Sequence, residues 1–302
     1  MYRCPRFPRS LQFLLTLFAL LLAAFSARAD DGRPYSVDTN GNGQPVWLVP
    51  GLASPGWVWD DLAERLRNAG YRTHVLTLAG FAGQSSLASD QPFLPTVREA
   101  LVADLSDEDG RNPIVIGHSL GGFMAFWLAA TTGEQLAAAI AVDGVPYLGS
   151  LMDPSATPET QRAGAEQIAS FMATLSAEQY AKQNRMSLGT MISGADQVEQ
   201  MAVDSGRSDP ATVGQAMLEL MTTDLRPQMA GVAIPVLLVQ AADSGSNEAM
   251  KAAFARQVAD IPDHRHVVAE QGRHFVQLDD PDFLAREVLA FLDAIEQDDD
   301  DE

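Results

Sequence analysis

The feature that most constrains this chain is a rhythm. Short apolar runs alternate with amphipathic stretches, the alternation stops once, and then it resumes. Pro45–Val49 is a brief apolar run halted by Pro50-Gly51, with the length and flanks of a buried strand. Residues 59–68 carry Leu62 and Leu66 at i,i+4 and end just before Gly70, a helix with a glycine stop signal. Strands are expected over 71–78, 113–117 and 137–142. Helices are expected over 96–105, where Thr96 and Glu99 stand in capping-box spacing, and over 120–130. The last third repeats the pattern, with strands over 234–239 and 264–269 and helices over 247–258 and 281–295. Such alternation implies right-handed crossovers, hence an α/β fold: a mostly parallel twisted sheet flanked by helices on both faces.

Between Pro146 and Arg226 the strand rhythm disappears. This stretch is rich in Met, Ala, Gln and Ser, with helical segments over 158–175, 177–186 and 210–221, and it reads as a helical cap inserted into the α/β core. The expected organisation is a signal segment (1–29), a first part of the core (30–146), the cap (147–228), a second part of the core (229–297) and an acidic tail (298–302). That tail is expected to be solvated.

The first residues carry Arg3, Arg6 and Arg9, followed by an apolar run from Leu11 to Phe25 and then Ala27-Arg28-Ala29. Basic start, apolar stretch and small-residue site together read as a cleavable secretory signal cut after Ala29. The run falls short of the roughly 20 residues that span a bilayer. The mature chain is therefore expected to be exported, periplasmic or secreted, with no stable membrane anchor. Losing four arginines and no acid takes its net charge from -20 to -24. So acidic a chain repels phosphate backbones, and no nucleic-acid partner is expected. Cys4 is the one cysteine and leaves with the signal, which excludes a disulfide framework and a cysteine-based zinc site. No metal-ligand spacing is present, and neither metal nor cofactor is expected.

Gly117-His118-Ser119-Leu120-Gly121 places G-x-S-x-G between an expected strand and an expected helix. A serine on such a sharp turn projects its hydroxyl at the carboxyl edge of the sheet, and the flanking glycines remove side chains that would clash. The helix N-terminus beside it favours developing negative charge. Ser119 is thus the expected nucleophile. It needs a base, and the base needs an orienting acid. His274, in a loop after the strand 264–269, is the expected base. His74 lies inside a strand, His118 adjoins the serine and points elsewhere, and His264 and His266 sit at a strand start. For the acid, Asp243 follows the strand that begins at Ile234. Asp143, at the end of strand 137–142, is its rival. The oxyanion donors are expected to be the backbone amides of Leu120, directly after the nucleophile, and of Leu52, in the loop after Val49.

These residues, with Pro50-Gly51-Leu52 and the glycine-rich loop 78–86, resemble the α/β-hydrolase superfamily over roughly Gly43 to Ile295. Where that family often has His-Gly, this chain has Pro50-Gly51. The resemblance implies hydrolysis through an acyl-enzyme; together with the signal segment, the expected function is that of an exported serine hydrolase cleaving small or medium carboxylic esters. Within enzymes the same triad also serves thioesterases, amidases or peptidases, and cofactor-free perhydrolases; outside them stands a binding protein that kept the fold. Trp57, Trp59 and Phe81, with Phe123 and Met124, are candidates for the acyl pocket. The methionines of the insertion offer either an adaptable apolar lid or ordinary helix packing.

Overall fold

The structure is a computed structural model that describes residues 33–108, 111–151, 153–242 and 248–300. The expected signal segment and the end of the acidic tail lie outside the described residues. The chain divides after Arg33, and Pro34–Glu302 is the unit that holds every element below.

Among the described residues seven strands form one sheet: β1 (Tyr35–Gly41), β2 (Pro45–Val49), β3 (Arg72–Leu78), β4 (Ile114–His118), β5 (Ala138–Val142), β6 (Val236–Ala241) and β7 (His264–Ala269), in the order β1-β3-β2-β4-β5-β6-β7. β1 runs antiparallel to β3, with Tyr35 opposite Leu78, and every other pairing is parallel. The five residues of β4 are buried, and alternate residues feed two apolar cores. Val115 joins Trp47, Val49 and Ala139 on one face, while Ile114 and Ile116 join Val46, Leu48 and Ile140 on the other. Two-sided burial explains why these strands read as continuous apolar runs.

The core helices are α1 (Asp60–Asn68), α2 (Phe93–Ser106) and α3 (Leu120–Thr132). The cap contributes α4 (Pro158–Ala173), α5 (Ala177–Met191), α6 (Ala195–Ser205) and α7 (Pro210–Thr222). The chain then returns to the core with α8 (Glu248–Val258), the single turn α9 (Val276–Asp279) and α10 (Pro281–Asp300). In the cap, α4 packs on α7 and α5 packs on α6.

Three differences from expectation have local causes. α2 starts at Phe93 rather than at Thr96, whose hydroxyl instead donates back to the Pro92 carbonyl. The Phe93 and Leu94 amides are capped by the Glu219 carboxylate of α7 at 2.9 and 2.6 Å, a partner far away in sequence. β1 was not expected, because four of its seven residues are exposed at the sheet edge and give no apolar run. α6 was not expected either; only Met201 and Ser205 are buried in it, so its apolar signal is thin.

Candidate active site

β4 ends at His118 and α3 begins at Leu120, so the whole reversal falls on one residue. Ser119 has φ 54° and ψ -112°, in the region that side chains seldom adopt. The turn is locked from both sides. The Ser119 amide donates to the Val142 carbonyl at 2.9 Å, and its carbonyl accepts from the Phe123 amide at 3.0 Å. A Cβ on Gly117 would overlap the Gly121 carbonyl, and one on Gly121 would overlap that of Val49. The glycines of the motif are thus steric requirements of the turn.

Asp143 follows β5 directly and also has positive φ, 47°. Its amide donates to the Val239 carbonyl at 2.7 Å, and its Oδ1 accepts from the Ala241 amide at 2.9 Å, which ties the ends of β5 and β6 together. Its Oδ2 lies 2.6 Å from His274 Nδ1, with the carboxylate side chain 2% exposed. An ionised carboxylate only accepts, so Nδ1 carries the proton and Nε2 is left with the lone pair. Asp243, the acid favoured on sequence, lies outside the described residues. Among the described residues Asp143 is the carboxylate on His274. Gly144 was the missed signal. A Cβ there would stand 2.5 Å from the Ser119 carbonyl, so the Asp143-Gly144 pair must follow the strand packed closest to the elbow.

The remaining histidines have other roles. His118 is buried and its Nε2 donates to the His274 carbonyl at 2.9 Å; burial first, then the neighbouring His274, pushes its pKa well below the ordinary value and keeps it neutral. His74 stacks on Trp47 at 4.4 Å and its Nδ1 lies 3.0 Å from the Thr39 hydroxyl. His264 Nδ1 is bound to the Ile261 carbonyl at 2.8 Å, and half-buried His266 bonds Gln240 at 3.0 Å.

A cavity of about 700 Å³ opens beside Ser119 and is also lined by Asp143 and His274. Leu52, Ala53 and Ser54 line it from the loop after β2, while Leu120 is the buried first residue of α3, next to Ser119. None of Trp57, Trp59 and Phe81 lines this cavity. Trp59 and Phe81 are core residues, and Trp57 spends its indole N–H on Asp204 of α6 at 2.8 Å. Of the two further acyl-pocket candidates, Phe123 lines the cavity and Met124 is buried in the core. The cap wall is methionine-rich instead: Met172, Met191, Met201, Met217 and Met221 all face the cavity. Polar side chains of the insertion line it as well, among them Gln161, Gln183 and Asn184, whose amide donates to the Ser205 hydroxyl.

The Alpha/beta hydrolase family's sequence profile matches residues 48–287. The chain belongs to the alpha/beta hydrolase family. Its similar relatives include a pimeloyl-[acyl-carrier protein] methyl ester esterase of Vibrio atlanticus, 25% identical over 203 residues, covering 66% of this chain and 75% of the relative. Another of that name, from Aliivibrio salmonicida, is 23% identical over 254 residues, covering 84% and 94%. Among solved structures, MenH from S. aureus superposes with a TM-score of 0.73 at 14% identity, covering 86% of this chain and 98% of that one, a likeness of fold. The relatives support a hydrolase, and within this alpha/beta hydrolase the elbow and the Asp143–His274 pair sit at the carboxyl ends of the parallel strands, where open α/β sheets bind their ligands.

Proposed function

We propose that this chain is an exported serine hydrolase that cleaves small or medium carboxylic esters through an acyl-enzyme. The observation that carries the reading is the 2.6 Å contact between Asp143 Oδ2 and His274 Nδ1, in the same cavity wall as a serine on a strained turn. Ser119 Oγ attacks the ester carbonyl while His274 Nε2 takes its proton. Asp143 holds the imidazole in that tautomer and stabilises the imidazolium. The negative oxygen settles on the amides of Leu52 and Leu120, the second at the N-terminus of α3. Collapse expels the alcohol with the proton from His274, and water then repeats the cycle to release the acid.

The relatives named as methyl ester esterases support an ester over an amide. The cavity supports a neutral acyl group. Among the described residues its walls hold Asp143 and Asp153 but no lysine or arginine to pair with a carboxylate. Its volume falls within the range of small-molecule sites, about 300–1,000 Å³. Export rests on the basic start, the apolar run and the Ala27-Arg28-Ala29 site, and intact-mass measurement of the exported protein should give a chain beginning at Asp30.

A fluorophosphonate probe tests the chemistry. Folded wild type is expected to be labelled and Ser119→Ala is not; a folded wild type that stays unlabelled overturns the proposal. On a series of p-nitrophenyl esters from acetate to decanoate, activity is expected to peak at intermediate chain length. Hemiesters carrying a free carboxylate on the acyl chain are expected to be poor substrates.

A further inference from the structure

His118 stands between three pieces of the site that come from different parts of the chain. It ends β4 one residue before Ser119. Its Nε2 lies 2.9 Å from the backbone carbonyl of His274, and its ring centroid is 4.7 Å from the His274 ring and 4.5 Å from that of Phe275. On the other side, Gly51 of the Leu52 loop comes so close that a Cβ there would stand 2.8 Å from His118 Nδ1 and 3.3 Å from the Ser119 Cβ. The ring is wholly buried, and Nδ1 has no hydrogen-bond partner among the described residues. A buried nitrogen without a partner carries a desolvation cost that an apolar side chain of similar size would avoid. A group that served only as filler would more economically be apolar.

We infer that His118 is a positioning residue: its Nε2–H grips the His274 carbonyl and sets the base loop against the nucleophile turn and the Leu52 loop. This rests on His274 acting as the base. The imidazole suits the task because Nε2 reaches the carbonyl while the flat ring fits between Gly51 and Phe275. Kept neutral by burial, it donates one proton and adds no charge beside the imidazolium that forms on His274 during turnover.

The experiment compares His118→Leu, which removes the donor, with His118→Gln, whose side-chain amide N–H reaches the same carbonyl, and His118→Asn, which is polar but too short. With p-nitrophenyl butyrate, Leu and Asn are expected to lower kcat roughly 10- to 100-fold with KM held within about threefold, and Gln to restore most of the loss. Proton NMR of the hydrogen-bonded His274 Nδ1–H, identified by its loss in Asp143→Asn, is expected to be broadened by Leu and Asn and kept by Gln. Retention of kcat within about twofold in Leu and Asn overturns the proposal, as does an unmoved Nδ1–H resonance in both. If Leu yields no folded protein, the Asn and Gln pair decides. Fluorophosphonate labelling of wild type separates the two ideas. An unlabelled wild type defeats the hydrolase reading, and the resonance alone then decides whether His118 orients His274.

Discussion

The elbow and the cap are built on opposite principles. At the elbow the chain has almost no freedom: Ser119 and Asp143 both hold positive φ, and three glycines are there because nothing larger fits. The Ser119 amide and both the amide and Oδ1 of Asp143 are tied to the backbone of central strands β5 and β6 or their ends. The cap meets the same cavity with methionine side chains on four helices, with Phe171, Met186 and Val203 exposed. Rigid surroundings fix where a proton goes, and flexible thioethers let different acyl shapes fit. In the proposed hydrolase reading, chemistry and selectivity fall to separate halves of one cavity.

That division can be broken from either side. The largest effect is expected from Asp143→Asn, which turns an acceptor into a donor facing His274 Nδ1 and forces the wrong tautomer. kcat should fall about 10⁴-fold, roughly 5 kcal/mol of barrier, with little change in melting temperature. Asp243→Asn should stay near wild type in the same assay; a larger loss there than at Asp143 would move the acid to the neighbouring strand end. Next comes Gly121→Ala, whose methyl group meets the Val49 carbonyl. It should cost about 3 kcal/mol of stability in a denaturant titration and abolish labelling of Ser119.

On the cap side, Met217→Ala with Met221→Ala should leave turnover of the acetate ester near wild type. It should lower kcat/KM roughly tenfold for the longest ester that wild type accepts. Equal losses on all chain lengths would mean that the methionines support the elbow rather than the acyl group. The smallest effect concerns the α7 cap. Burial acts to raise the Asp209 pKa, but hydrogen bonds donated by Thr212 and Ser86 outweigh it and hold the carboxylate below its ordinary value. A folded pKa below the unfolded one adds stability that is present above the unfolded value and lost as pH falls. Asp209→Ala should therefore cost about 1 kcal/mol at pH 7, and the gap in melting temperature should close below about pH 4.

What the sequence revealed follows the range of the forces involved. The elbow was legible because its causes are local: an apolar run, a serine and glycines within five residues. His274, the expected base, stood out by its place in the loop after β7. The acid was harder, since Asp143 and Asp243 both trail a buried strand. Choosing between them requires knowing which strand end faces the histidine loop, a fact of packing. The pocket was misread for the same reason. Trp57, Trp59 and Phe81 precede the elbow in the chain and belong to the core or to its contact with the cap, whereas much of the cavity wall comes from methionines far downstream, from Met172 to Met250. The capping box at Thr96 failed because the helix already starts at Phe93, where the Glu219 carboxylate takes the Phe93 and Leu94 amides, and the Thr96 amide is spent on the Pro92 carbonyl.

That carboxylate has a consequence for any attempt to recombine this protein. Glu219 belongs to α7, which packs on α4 in the cap, but it closes the first turn of α2 in the core, so α7 is tied to both layers. Crossovers in a chimera should fall on either side of the α5–α6 pair, near Ser176 and Gly206. Exchanging that pair transplants one wall of the cavity only if its own ties to the core are kept: the Phe275 amide on the Met191 carbonyl, Arg273 on Gly189 and Ile192, Ser193 on Asp279 and Trp57 on Asp204. A graft of the whole insertion without an acid at position 219, by contrast, would leave α2 with bare amides.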